Sequence, residues 1–425
     1  VNVHIEKIVF PGKSMALVEG KVVFCDEGLP GEEVEAEPIK EKKTYLEART
    51  KKILKESPHR IPVRCPHYQV CSPYQYISYP FQLEIKKSQI KEIFLRSLRV
   101  ELPDLLTRTS AKIWGCRNKV RLKLIKQNSA THLAYHQPGE QEKFVRIKEC
   151  FLVSDEMNSL LAAFCEIATE KNLGGIEEVE VKESSSSKEM LLILYLNSKR
   201  ALEGLRENIA PLRSRFPLRG IICLVNKRKG TKEIILDGEN YIEERIGENT
   251  FRIGPQSFFQ VNTELLKEVL TDLRNIIPLS GKQRVADLYC GVGTFGIALA
   301  SDAAEVVGVE SSLENIEFLK KNLDLNRISN FTICEGLSEE WISRILKKNV
   351  EALILDPPRK GISRSIVESL IKKPVPLIVY LSCNPSTLVR DLKLLNSKYR
   401  LKDIRLYDFF PHTPHIETCS VLEEF

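Results

Sequence analysis

The stretch Leu381-Ser382-Cys383-Asn384-Pro385 places a thiol where a nucleophile could work. It follows the apolar run Pro376-Leu377-Ile378-Val379-Tyr380-Leu381, and such a run is expected to form a buried parallel strand. In open α/β sheets the working groups sit just past the carboxyl ends of strands. Cys383 is therefore a candidate nucleophile, set against the plainer reading of a small buried hydrophobe. A second constellation begins at Asp287-Leu288-Tyr289-Cys290-Gly291-Val292-Gly293-Thr294. Its glycines join a strand to a helix and let the backbone approach a ligand closely. Glu310 ends the next strand, where an acid usually accepts hydrogen bonds from ribose hydroxyls. The other reading of Glu310 is a helix cap, with Ser311 and Ser312 beside it. Gly296 falls one position early for the third glycine of the dinucleotide fingerprint, which argues against NAD. Asp356-Pro357-Pro358-Arg359 closes a further strand, and its prolines stiffen the loop that holds the carboxylate. Asp356 is placed to contact a cofactor amine, a target base or both, unless it only lines a solvated turn.

These groups need a scaffold, and the pattern from residue 281 onward supplies one. Val285–Leu288, Val306–Val309, Ala352–Leu355 and Leu377–Leu381 read as strands, with helices at Phe295–Ala300 and up to Leu325 between them. Strands alternating with helices imply an α/β, doubly wound parallel sheet. Ile404–Tyr407 and Thr418–Leu422 are expected to finish its edge. Earlier in the chain, Gly12, Gly20, Gly28 and Gly31 punctuate short apolar stretches, a pattern of strands and tight turns. A basic stretch with Tyr45 in it runs from Lys40 to Lys55; it suits an RNA backbone as well as it suits a solvated edge strand. Phe81–Leu98 has helical spacing, with Ile85, Ile90, Ile93, Phe94 and Leu98 on an apolar face.

The 425 residues leave room for two or three domains. The hydrophobic content of 43% and charged content of 28% are those of an ordinary globular chain, and no apolar run is long enough for a membrane helix. The start of the chain has no apolar signal core, so a cytoplasmic protein without a membrane partner is expected. Eleven scattered cysteines suggest free thiols, a metal site or catalysis rather than a disulfide framework. A net charge of +6 permits a polyanionic partner without requiring one.

Asp-Pro-Pro-Arg differs from the Asp/Asn-Pro-Pro-Tyr/Phe of amino-group methyltransferases, whose aromatic stacks a base; Arg359 cannot replace it. Taken in order, several further motifs carry a resemblance over nearly the whole chain. They are Gly20-Lys21-Val22-Val23-Phe24 with Leu29-Pro30-Gly31-Glu32, Cys65-Pro66-His67-Tyr68, Arg117-Asn118-Lys119 and Phe258-Phe259-Gln260-Val261-Asn262. To these are added the Asp287, Asp356 and Cys383 motifs and Phe410-Pro411-His412-Thr413-Pro414-His415-Ile416-Glu417. The chain resembles the RNA 5-methyluridine methyltransferase family, of the ribosomal-RNA type with an N-terminal TRAM domain. The resemblance implies a small OB-like TRAM β-barrel over 1–57, a mixed α+β central domain over 58–245, and a class I, Rossmann-like methyltransferase domain over 246–425. It implies that Gln260, Tyr289, Glu310 and Asp356 contact S-adenosylmethionine, that Cys383 is the nucleophile and that Glu417 is the base. The implied reaction is methylation of carbon 5 of a uridine, with 23S ribosomal RNA the expected substrate and a monomer the expected state. Transfer RNA, or a non-catalytic role in RNA binding or ribosome assembly, is the alternative.

In the family, four cysteines hold a [4Fe-4S] cluster, three of them spaced Cys-x5-Cys-x2-Cys. Cys65 and Cys71 keep the first spacing and Cys150 matches the distant fourth ligand, but Tyr74 stands at the third position. The resemblance thus implies a cluster on Cys65, Cys71 and Cys150, completed by an open corner, an outside ligand or Cys116. Loss of the cluster, with the thiols simply packed, is the alternative, and zinc a lesser one.

Overall fold

The computed structural model describes residues 1–425 except 138, 228 and 229. Its first unit is a six-stranded sheet made by the strands from Asn2–His4 to Tyr45–Lys55. Alternating residues bury a small core of Val3, Ile5, Ala16, Val23, Cys25, Val34, Ala36 and Ala48. The basic strand Tyr45–Lys55 pairs antiparallel with Glu33–Glu41. Lys40, Lys42, Lys43, Lys51, Lys52 and Lys55 are exposed. Tyr45 is half-buried, edge-on to Phe24 at 5.7 Å.

A seven-stranded sheet follows, running from Lys119–Gln127 to Gly230–Gly238, with a single parallel pair between Met190–Leu196 and Leu218–Lys227. Helix Asp155–Glu170 covers one face, and its N-cap Ser154 accepts a hydrogen bond from the Met157 amide.

The last sheet has eight strands. Their order is Phe331–Glu335, Glu305–Glu310, Arg284–Leu288, Ala352–Leu355, Leu377–Ser382, Glu417–Glu424, Tyr399–Asp408 and Leu106–Thr109. The five strands from Phe331–Glu335 to Leu377–Ser382 are parallel. Two of them, Ala352–Leu355 and Leu377–Ser382, are buried at every position, which is why they read as unbroken apolar runs. Alternate residues feed two layers. Val285, Ile354 and Val379 meet helices Thr263–Ile276, Thr294–Ala300 and Leu313–Leu325. Ala286, Leu355 and Tyr380 meet helices Ser338–Leu346, Arg364–Lys372 and Pro385–Leu395. This is the Rossmann-like α/β architecture expected from the alternating pattern.

Two particulars differ from the expectation. Glu417–Glu424 is not at the sheet edge: it lies between Leu377–Ser382 and Tyr399–Asp408. The edge belongs to Leu106–Thr109, which comes from the earlier, central part of the chain and pairs parallel with Arg405–Asp408. The helix Tyr79–Leu98 buries Ile85, Ile90 and Phe94, but on the same side it also buries Gln82, Lys86 and Gln89. Its face is polar because it grips the turn after Asp408. Lys86 Nζ donates to Asp408 Oδ1 at 2.6 Å, with both side chains fully buried, and to the Phe410 carbonyl at 3.1 Å. Tyr79 Oη donates to Asp408 Oδ2 at 2.8 Å. Among the described residues no helix is long and apolar enough to cross a membrane.

Breaking a buried pair strands the surviving charge. Lys86→Met is expected to destabilise the fold by about 3–5 kcal/mol, measured as a lower urea midpoint at unchanged slope.

Candidate active site

The antiparallel pairing of Leu377–Ser382 with Glu417–Glu424 ends at Ser382 opposite Thr418. Cys383 and Glu417 are the next residues past that end, near enough for the Glu417 charge to act on the thiol. Thr418 Oγ1 donates to the Ser382 carbonyl at 3.3 Å and closes the pair. Beyond the thiol, Asn384 caps helix Pro385–Leu395, its Oδ1 accepting from the Ser386 amide at 3.1 Å, with Pro385 at the first helical position. Cys383 thus lies between a strand end and a helix N-terminus, whose dipole favours a thiolate.

The local charges oppose that ionisation. Burial pushes the Cys383 thiol up to about 11, the charges of Glu417 and Asp356 add to the rise, and Arg359 counters it. Glu417 is buried and held well above the carboxylate range, by desolvation first and then by Asp356, against Arg359. Burial raises the half-buried Asp356 to about 7. The resting site therefore gathers three desolvated acids around one exposed arginine, and is short of positive charge. His412 does not supply it. Burial pushes its imidazole down to about 4. Its ring stacks on Trp114 at 3.8 Å, and Nδ1 meets Gln82 Nε2 at 3.2 Å, so it is a structural group.

The second constellation converges on a neighbouring cleft. Leu288 pairs with both Val309 and Leu355, so Tyr289, Glu310 and Asp356 end three adjacent parallel strands. The strand order reverses between Arg284–Leu288 and Ala352–Leu355, the usual place for a ligand crevice. Phe258, Gln260, Tyr289, Gly291 and Asp356 line this cleft. Glu310 works beneath its wall: Oε2 accepts from the Gly291 amide at 2.9 Å, and Oε1 accepts from the Ser311 and Ser312 amides at 2.8 and 2.7 Å. Ser312 is the cap of the following helix. A carboxylate has about four acceptor sites, so Glu310 braces the glycine turn and keeps capacity for a hydroxyl. Gly296 serves packing, since a Cβ there would stand 2.5 Å from the Phe331 ring.

Three supporting residues escaped the sequence reading as site residues. Asp287 is fully buried, with Oδ2 accepting from the Gly296 amide at 2.9 Å and Oδ1 lacking a partner. Asn118 Nδ2 donates to the Gln260 carbonyl at 2.9 Å. Buried Lys182 donates to the Gly254 and Ser257 carbonyls at 2.8 and 2.9 Å. The middle sheet thereby aims the Gln260 loop. The Arg-Asn-Lys motif was a signal for Asn118; nothing local marked Lys182.

Three of the expected cluster thiols lie within reach of one another's charge, Cys65 with Cys71 and Cys150, and Cys150 with Cys71, but they make an incomplete set. Such a cluster takes thiolates at all four corners, and the third position is a phenol. Tyr74 is 1% exposed, and its hydroxyl accepts from Gln89 Nε2 at 3.3 Å. Cys65 Sγ meets His67 Nδ1 at 2.8 Å, and Cys71 Sγ meets Ser72 Oγ at 3.4 Å. Cys116 Sγ instead meets the Ile113 carbonyl at 3.9 Å. Among the described residues no three His, Cys, Asp or Glu side chains converge on a metal position.

The buried acids tilt stability with pH. Asp287 is lifted from 3.8 to about 8, by desolvation first and by Asp356 and Glu310 after it, against the Gly296 hydrogen bond. The native state therefore binds more protons than the unfolded chain across that window, and stability falls as pH rises through it. In urea titrations of the ligand-free protein at pH 5 and pH 8, Asp287→Asn is expected to lose less stability between the two than the parent does.

The chain is similar to known proteins over nearly its whole length. The chain is 32% identical over 438 residues to an uncharacterized RNA methyltransferase of Clostridium tetani, covering 98% of this chain and 96% of that one. It is 30% identical over 443 residues to another from Bacillus cereus, covering 99% and 96%. Among solved structures, the Pyrococcus abyssi tRNA (uracil-54, C5)-methyltransferase in complex with S-adenosyl-L-homocysteine superposes with a TM-score of 0.79 at 26% identity, over 99% of this chain and 100% of that one. The family model described as tRNA (Uracil-5-)-methyltransferase matches residues 78–425. With the Cys383 and Glu417 strands paired beside the strand-end cleft, the chain belongs to the tRNA (uracil-5-)-methyltransferase family.

Proposed function

We propose that this enzyme transfers a methyl group from S-adenosylmethionine to carbon 5 of a uridine in RNA through a covalent adduct on Cys383. The observation that carries this reading is the strand pairing that ends at Ser382 and Thr418 and leaves Cys383 and Glu417 as the next residues, beside the cleft at Asp356. Carbon 5 of uracil is a poor nucleophile. Addition of the Cys383 sulfur to carbon 6 makes the ring an enolate, and carbon 5 becomes nucleophilic. S-adenosylmethionine supplies the electrophilic methyl group. Glu417 then takes the proton from carbon 5, and elimination expels the Cys383 thiolate. A carboxylate held above its ordinary range by burial suits that proton transfer.

The shortage of positive charge is consistent with the same reading. Burial disfavours the charged forms of Cys383, Glu417 and Asp356, and a cationic methyl donor next to them favours those forms. Gln260, Tyr289 and Asp356 line the cleft proposed for that donor, with Glu310 offered to its ribose. The uracil has to leave its stack, which costs a few kcal/mol and is easiest in single-stranded loops. The exposed lysines of Lys40–Lys55 are suited to grip the RNA backbone rather than to choose the base.

The N-terminal sheet, read as a TRAM domain, supports 23S ribosomal RNA as the substrate. One observation favours transfer RNA equally: the Pyrococcus abyssi transfer-RNA enzyme is matched over 100% of its length with 99% of this chain, the N-terminal sheet included. The purified protein, labelled S-adenosylmethionine and unmethylated ribosomal and transfer RNA in parallel decide between them. Label in 5-methyluridine of one RNA names the substrate; label on a base nitrogen, or none with the cofactor bound, rejects the reading. Cys383→Ala is expected to lower turnover more than ~10³-fold. Glu417→Gln is expected to methylate without release, leaving an RNA–protein adduct that survives denaturing electrophoresis.

A further inference from the structure

Tyr74 occupies the third cluster position of the family pattern, yet it does more than fill space. Its ring is buried at the meeting point of three parts of the chain that lie far apart in sequence. Gln89 Nε2 on helix Tyr79–Leu98 donates to Tyr74 Oη at 3.3 Å and to the Ile8 carbonyl of the N-terminal sheet at 3.1 Å. The turn after Ile8 presses on the same point. Gly12 has φ 107°, and a Cβ on it would stand 2.6 Å from Pro414 Cβ and 3.5 Å from Tyr74 Oη. The Tyr74 amide donates to the His412 carbonyl at 2.9 Å. Gln82 closes the junction: its Nε2 donates to the Tyr74 carbonyl at 3.1 Å and its Oε1 accepts from the His412 amide at 2.9 Å.

The rest of the cysteine loop is also held by hydrogen bonds. Gln75 Oε1 accepts from the Cys65 amide at 3.1 Å, and Gln75 Nε2 donates to Ser72 Oγ at 2.7 Å. We propose that in this chain the Tyr74–Gln89–Gln82 junction does the anchoring that a [4Fe-4S] cluster would do, so that the Cys65–Tyr79 loop is held without iron. Tyr74 is then a positioning residue for the turn His412–Glu417: anchored by its ring, it holds His412 through its backbone amide and so sets the approach of Glu417 to the Cys383 site. Only the role of Glu417 rests on the function proposed above; the iron content does not.

Two measurements test this. The first is iron, acid-labile sulfide and absorbance near ~400 nm of the full chain purified anaerobically from iron-fed cells, next to a Cys65→Ser/Cys71→Ser control. The parent is expected to hold no more iron than the control. Iron and sulfide in about four-to-four ratio, lost in the control, overturns the proposal whatever the enzyme methylates. The second is steady-state methylation by Tyr74→Ala, Tyr74→Phe and Gln89→Leu, with calorimetric binding of S-adenosylmethionine as the check on folding. Displacement of a catalytic turn is expected to lower kcat about 10–100-fold in Tyr74→Ala with cofactor affinity unchanged, and the retained ring of Tyr74→Phe is expected to recover most of it. If Tyr74→Ala fails to bind the cofactor, Gln89→Leu carries the test with the same expected fall. Parent-like kcat in Tyr74→Ala, or in Gln89→Leu where it stands in, overturns the positioning role.

Discussion

The antiparallel pairing of Leu377–Ser382 with Glu417–Glu424 brings two chemical groups to one end of its ladder, Cys383 just past one strand and Glu417 at the start of the other. A shift of one residue in a strand pair turns every side chain to the opposite face, so the site tolerates no slip. The two helical layers enforce the register. Val379, Leu381, Cys419 and Val421 are buried in one layer, and Ile378, Tyr380, Ile416 and Leu422 in the other. A slip would drive apolar side chains of one strand against the wrong layer and move Glu417 away from the thiol. Core packing and the placement of Glu417 near the Cys383 thiol are thus one constraint.

The turn between Tyr399–Asp408 and Glu417–Glu424 has no such ladder, and the chain holds it with buried polar groups instead. Lys86 and Asp408 are both removed from water, which a pair of charges repays only with good geometry and further hydrogen bonds. Tyr79 and the Phe410 carbonyl supply those bonds. A hydrophobic contact of equal volume could hold the helix there as firmly, but it would not aim the turn. Directional bonds do: Gln82 binds His412 through both its amide oxygen and its nitrogen. The helix carrying these groups lies between the N-terminal sheet and the eight-stranded sheet, so the elements proposed to grip RNA are mechanically continuous with the turn that leads to Glu417.

Much of this was legible in the chain itself. Leu377–Leu381 and Ala352–Leu355 were apparent as buried parallel strands because strands covered on both faces become unbroken apolar runs. The glycine turn after Asp287 and the acid ending the next strand were visible from type and spacing, and the cleft joins Tyr289, Gln260 and Asp356 as the family motifs implied. The helix Tyr79–Leu98 was found by its Ile85, Ile90 and Phe94 positions, but its polar grip was hidden. Gln82, Lys86 and Gln89 look like a solvated face until their partners, distant in sequence, arrive. The edge strand Leu106–Thr109 was missed for a related reason: four residues, half of them exposed, carry too little periodicity to announce a strand.

By itself, the sequence determined which elements form and which chemical groups end them, because propensity, apolar periodicity and motif spacing act over a few residues. It also determined the family, through motifs spread in order along the chain. Only the tertiary structure decided which of those groups meet. It brought Cys383 and Glu417 to the same end of one strand pair, set Lys182 and Asn118 under the Gln260 loop, and joined the residue at the third cluster position to Gln89. Each of these depends on strand register and on packing between segments far apart in the chain, where the partner of a polar side chain is chosen by the space left for it.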